Sequence, residues 1–287
     1  ATSNPNIPIN GAHDYIVDAD VAVIDTGIDF DHPDLNVVHV INCNLSGPLE
    51  GTCSGAQDDG NGHGSHVAGI IGALDNDFGV VGIAPGVRLW AVKVLTNQGY
   101  GTTAQIIAGI DYVAAHAADI EVANMSLGGT AESLAMDLAI SKAVALGVTF
   151  TLAAGNSNIN VSNYHPAGNP DAITVSALAD FDGLAGGLAA PTCYTDIDDT
   201  RANFSNYGDG VTIAAPGVCT YSPFKDGAYT TKSGTSMAAP YVAGAAALLA
   251  STNLYDPYQI RDILTTSGNY DWIDDSPDGI LEPLLDV

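Results

Sequence analysis

Val21-Ala22-Val23-Ile24-Asp25-Thr26-Gly27 is an unbroken apolar run that stops at an acid and a glycine turn. A strand with one wet face alternates apolar with polar residues, whereas a continuous run reads as buried on both faces. Comparable runs lie at residues 87–95, 120–125, 148–153, 172–175 and 211–214. Between them, residues 63–73, 103–117, 133–146 and 235–250 carry helical periodicity. Strands alternating with helices predict an α/β fold: a central, mostly parallel sheet flanked by helices in a three-layer sandwich, with right-handed crossovers. No repeat or linker interrupts the pattern, so residues 1–287 read as one domain. The stretches 180–205 and from 271 onward lack periodicity and read as ordered surface loops.

Ligands of such sheets sit at the carboxyl ends of the strands. Asp25, the segment Asn124-Met125-Ser126-Leu127-Gly128-Gly129 and the segment Ala153-Ala154-Gly155-Asn156 therefore fall where chemistry is expected.

Composition excludes several classes. The 287 residues carry 7 Lys+Arg against 33 Asp+Glu, a formal charge of −26, with 46% hydrophobic residues. Seven basic residues make no nucleic-acid footprint, the apolar fraction argues against disorder, and no run of about 20 apolar residues suggests a membrane span. Only Glu50, Glu121, Glu132 and Glu282 are glutamates and the other 29 acids are Asp. Asp favours turns, caps and hard-cation sites. Scarce Lys and Arg leave few ion pairs to lose on acidification, so stability toward acid is expected. Cys43, Cys53, Cys193 and Cys219 are an even set without zinc spacing. They fit two short-range disulfides, Cys43–Cys53 and Cys193–Cys219, as in a secreted protein; the alternative is four free thiols in a cytosolic one. The chain begins at Ala1 without a basic and apolar leader, so the expectation is that a signal peptide or pro-segment has been removed.

Three segments carry the functional argument: Val23-Ile24-Asp25-Thr26-Gly27-Ile28-Asp29, Gly62-His63-Gly64-Ser65-His66-Val67-Ala68-Gly69, and Ser233-Gly234-Thr235-Ser236-Met237-Ala238-Ala239-Pro240. In the order Asp, His, Ser they closely resemble the signature segments of the subtilisin-like serine proteases, over residues 21–264. That resemblance implies the following. Ser236 is the nucleophile, His63 its base and Asp25 the group that orients the imidazole. Asn156 is the side-chain donor of the oxyanion hole. Gly99, Tyr100 and Gly101, with Ser126, Leu127 and Gly128, flank an extended substrate strand. Ser126–Gly128 with Ala153, Ala154 and Gly155 wall the pocket for P1, the residue before the scissile bond; small uncharged walls suit a large apolar side chain. His66 is structural. Met237, beside the nucleophile, is sensitive to peroxide if exposed.

The resemblance also implies structural Ca²⁺ and no organic cofactor. Leu74, Phe78 and Val80 would offer carbonyls, Asn76 its side-chain oxygen and Asp34 a carboxylate. Two further acidic clusters are candidate calcium sites: Asp196, Asp198 and Asp199, and Asp271, Asp274, Asp275 and Asp278. The implied protein is a secreted, monomeric endopeptidase of broad specificity. It acts on proteins and peptides, with its own pro-segment as a partner in maturation, and with neither nucleic acid nor membrane. A catalytically silent homologue that binds peptides is the alternative. An esterase is disfavoured, because Gly234-Thr235-Ser236-Met237-Ala238 lacks the second glycine of a nucleophile elbow.

Overall fold

The computed structural model describes residues 9–12, 15–187 and 189–286. Strands β1 (Asp20–Asp25), β2 (Val37–Asn42), β3 (Arg88–Lys93), β4 (Val122–Met125), β5 (Thr149–Ala153), β6 (Ile173–Ala179), β7 (Thr200–Arg201) and β8 (Ile213–Pro216) form one sheet. Their order is β2-β3-β1-β4-β5-β6-β7, and β8 also pairs with β6. All pairings are parallel except that of β6 with β7.

The opening run explains the layers. All six residues of β1 are buried. Val21 and Val23 face a core shared with α1 (His63–Gly72) and α4 (Thr235–Ala250). Ala22 and Ile24 face the opposite core, shared with α2 (Thr103–Ala115) and α3 (Leu134–Ala145). Each fully buried Val or Ile contributes roughly 1.5–3 kcal/mol, so the strand is fixed in register from both sides. Small residues let α1 and α4 approach closely: a Cβ on Gly244 would lie 3.2 Å from the Ile71 carbonyl oxygen.

Three features were not expected from the sequence. Strand β2 is an edge strand whose half-buried pattern hides it. Strands β9 (Thr220–Phe224) and β10 (Ala228–Lys232) form a separate antiparallel hairpin. Helix α5 (Pro257–Ser267) follows Asp256, which forms a capping box with Gln259. That Asp-Pro-x-Gln start signal stands in the sequence and was overlooked. Both disulfides, Cys43–Cys53 and Cys193–Cys219, are formed. Among the described residues no helix is long and apolar enough to cross a membrane.

Candidate active site

The sheet delivers Asp25 at the carboxyl end of β1, fully buried. Its Oδ1 accepts the Thr26 N–H at 2.7 Å and lies 2.8 Å from His63 Nδ1. The residue after the acid also caps the helix that starts with the histidine, because the Thr26 hydroxyl accepts the Gly64 N–H at 2.9 Å. Asp59 completes that cap: its Oδ1 accepts the Thr26 hydroxyl and the N–H groups of Asn61 and Gly62, and its Oδ2 accepts the Ser65 N–H. The N–H groups of Gly62, Gly64 and Ser65 at the helix start are thus bound by Thr26 and Asp59, which are joined to each other by a hydrogen bond. Gly64 permits the approach, since a Cβ there would sit 2.0 Å from the Gly27 carbonyl oxygen. Burial works against a charge on His63, but the Asp25 charge and hydrogen bond outweigh it and raise its pKa above the ordinary 6.5.

Ser236 is the second residue of α4. Pro240, four residues on, has no N–H to offer the Ser236 carbonyl. The Ser126 hydroxyl takes that place, donating to the carbonyl at 2.8 Å. Ser126 is itself held by Asn124, whose amide donates to it at 2.9 Å, and Asn124 accepts the Thr151 hydroxyl at 3.0 Å. The Ser236 hydroxyl donates to the Ser126 carbonyl at 3.3 Å, so it lies beside His63 in the same cleft without a hydrogen bond to it. Hydrogen bonds of this kind often tighten only when substrate binds.

Asn156 turns its Oδ1 to the N–H and hydroxyl of Thr235, at 2.8 and 3.0 Å. This directs its NH₂ toward the cleft it lines. Gly155 holds the turn at φ 103°, a value open to glycine. The Thr235 N–H is taken by Asn156 and the Met237 N–H by Gly234, while the Ser236 N–H, at the second position of the helix, has no helical carbonyl to bond.

The cleft has a volume of about 410 Å³. Gly99, Tyr100, Gly101, Ser126, Leu127, Gly128, Ala153, Gly155 and Asn156 line it. Ala154 does not: it is wholly buried against Val161, Ala167 and Val211. Two residues were missed. Tyr164 lines the cleft; its ring lies where a Cβ on Gly128 or Gly155 would reach, at 2.5 and 2.7 Å. Lys93 is 1% exposed, and its ammonium donates to the Thr26 carbonyl and, at 3.0 Å, to Asn97 Oδ1. Burial lowers its pKa, opposed by Asp59, Asp25 and Asp58. A tyrosine in a polar loop segment and a lysine within an apolar run carry no sequence signal of such placement.

His66 is buried, with Nε2 3.1 Å from the Thr230 carbonyl and Nδ1 without a partner. Burial lowers its pKa to about 4. A neutral imidazole in the fold opposes an unfolded chain that takes up a proton near 6.5. Its stabilisation is therefore complete above pH 6.5 and lost as pH falls toward 4, by about 3 kcal/mol. Urea unfolding of wild type and His66→Gln at pH 7, 5.5 and 4 should show that loss in the wild type alone. Met237 is 1% exposed and packs in the core, so ready oxidation is not expected of it.

The candidate calcium ligands fall into three groups. The loop 74–80 wraps Asp34: the Leu74 N–H bonds the Asp34 carbonyl at 3.0 Å, and the Asn76 amide meets Oδ1 at 2.8 Å. The Val80 N–H and the Tyr229 hydroxyl meet Oδ2 at 3.2 and 2.9 Å. Burial raises the pKa of Asp34, opposed by these donors. The Asp34 carboxylate is thus wholly buried and met by neutral donors, and the Asn76 side-chain oxygen expected as a ligand accepts the Phe78 N–H at 3.1 Å instead. The second group differs from expectation. Asp198 converges with Asp180 and Asp182, while Asp199 Oδ2 is taken by the N–H groups of Gly186 and Gly187 and Asp196 Oδ1 by that of Asn203. Short-range turns consume these oxygens. In the third group Asp271 is exposed and the Asp275 side chain is 67% exposed beside Arg201, whereas the Asp274 side chain is enclosed and Asp278 is half-buried. Asp29, Asp31 and Asp58 form a further convergent group.

Comparison with known proteins agrees with this geometry. Residues 18–280 match the model of the subtilase family. Subtilisin DY of Bacillus licheniformis is 42% identical over 207 residues, covering 71% of this chain and 66% of that protein. Subtilisin Savinase of Lederbergia lenta is 40% identical over 204 residues, covering 71% and 65%. The match thus spans just under two thirds of the length of these relatives. A crystal structure of a cold adapted subtilisin-like serine proteinase superposes with a TM-score of 0.78 at 36% identity, covering 94% of this chain and 89% of the other. With a family match across most of its length, and an acid, a histidine and a helix-borne serine gathered at one cleft, the chain belongs to the subtilase family.

Proposed function

We propose that the chain is an active serine endopeptidase with Asp25, His63 and Ser236 as its triad. The observation that carries this is the 2.8 Å contact of His63 Nδ1 with a buried Asp25, in a cleft that also holds Ser236. On substrate binding the Ser236 hydroxyl leaves the Ser126 carbonyl, gives its proton to His63 Nε2 and attacks the scissile carbonyl. The imidazolium is stabilised by Asp25 and returns the proton to the leaving amine. The resulting acyl-enzyme is then hydrolysed by water activated by the same imidazole. The Asn156 amide and the Ser236 N–H receive the oxyanion. Asn156→Ala should lower kcat by about 10²–10³ with little change in KM, a figure taken from the corresponding asparagine of subtilisin.

The substrate is proposed to lie as an extended strand between Gly99–Gly101 and Ser126–Gly128, with broad preference and an apolar P1 residue. Tyr164 sets the depth of the P1 pocket. Tyr164→Ala should raise kcat/KM for Phe over Ala at P1 by about 10-fold, read on paired peptide anilides. The remaining parts of the reading are secretion, consistent with two disulfides, a monomeric single catalytic domain, and structural Ca²⁺ at the Asp34 loop. A pro-segment partner in maturation is implied by the family alone. Casein cleavage abolished by one equivalent of a serine-directed phosphonyl inhibitor tests the activity. Stoichiometric labelling without casein or peptide cleavage would favour a silent homologue.

A further inference from the structure

After α5 the chain returns along the sheet edge. Leu284 bridges Asn269 and Ala214, and Ile273 bridges Thr200. Trp272 is buried with Leu178 and Ala214, and its indole N–H donates to the Glu282 carbonyl at 3.1 Å. Inside this return lie Asp274, Ser276, Asp278 and Glu282. The Asp274 side chain is 3% exposed, and its Oδ1 accepts the Ser276 N–H at 2.8 Å. The Ser276 hydroxyl lies 3.0 Å from Asp274 Oδ2 and 2.6 Å from Asp278 Oδ1, and its single proton serves only one of them. The other Asp278 oxygen is buried with no donor. Glu282 is 4% exposed and neither of its carboxylate oxygens has a donor. The cation beside this group is Arg201, 3.4 Å from Asp274 and shared with Asp275, Asn158 and the Ser205 carbonyl.

A buried carboxylate without a partner either takes a proton or is coordinated. Glu282 faces the charges of Asp274 and Asp278, and burial with those charges pushes its pKa up to about 8. The spacing supplies the second alternative. Counted from Asp274, oxygen-bearing side chains stand at positions 1, 3, 5 and 9, with Gly279 at position 6 and φ 71°. This is the order of the first nine residues of a helix–loop–helix calcium loop, without its twelfth-position Glu. We propose that Asp274, Ser276, Asp278 and Glu282 form a Ca²⁺ site that fastens the C-terminal return to the sheet edge.

Trp272 provides a local reporter. The full chain, blocked with the phosphonyl inhibitor and stripped with EGTA, is titrated with Tb³⁺ under excitation at the red edge of the tryptophan band. Sensitised emission is expected, reversed by Ca²⁺ and lost in Trp272→Phe. Glu282→Gln and Asp278→Asn should each weaken Tb³⁺ binding by roughly 10–100-fold, while Asn76→Ala leaves the signal intact. In EGTA, Glu282→Gln should melt no lower than wild type, because it removes an unpartnered buried acid. Unchanged affinity in both Glu282→Gln and Asp278→Asn, or emission that survives Trp272→Phe, would overturn the site.

Discussion

Replacement of Ser236 by alanine should lower kcat on a peptide anilide by about 10⁶-fold, the magnitude known for the corresponding change in subtilisin, from which the figure is taken. The structural cost should be small. The hydroxyl makes one hydrogen bond, 3.3 Å to the Ser126 carbonyl, so the helix start loses little. The Ser236 carbonyl keeps the Ser126 hydroxyl, and the Asn156 contacts with Thr235 are untouched. Circular dichroism and the melting temperature should therefore match wild type while turnover vanishes. The residual rate, about 10³–10⁴ above water, belongs to the oxyanion donors and to binding. A variant that retained more than a percent of wild-type kcat would place the nucleophile elsewhere.

Asp25→Asn should cost about 10⁴-fold in kcat. The acid is fully buried, and one oxygen receives both the Thr26 N–H and His63. Its other oxygen has no partner in the unliganded protein. An asparagine of the same shape keeps the packing, and with its carbonyl oxygen at the shared position it accepts both the Thr26 N–H and the His63 Nδ1–H, but it lacks the charge that stabilises the imidazolium formed in catalysis. The variant also removes the charge that raises the His63 pKa. The acid limb of kcat/KM, centred above pH 6.5 in the wild type, should move to lower pH as the plateau falls. A loss of rate with an unmoved limb would mean that Asp25 acts only through packing.

Much of this was legible in the chain because the chemistry is local to short segments. Unbroken apolar runs and helical periods placed β1, β3, β4, β5, β6 and α1 to α4, since burial on two faces leaves no room for alternation. What escaped has a common cause. Strand β2 and helix α5 bury only part of a face, so their apolar signal is diluted. Tyr164 meets Gly128 and Lys93 meets Thr26 across more than thirty residues, a pairing no short window of sequence contains.

The sequence by itself determined the layer architecture and the family, because those follow from residue type and spacing, whereas it left the cysteines open between two disulfides and four free thiols. Tertiary structure decided how the parts meet. It caps the histidine helix with Thr26 and Asp59, and gives the carbonyl freed by Pro240 to Ser126. It also sorts the acids of an Asp-rich chain into exposed ones, such as Asp271 and Asp275, and enclosed ones, such as Asp34, Asp274 and Glu282. The cost of a carboxylate depends on whether water or protein surrounds it. That surrounding is a property of the fold, and a composition of −26 does not contain it.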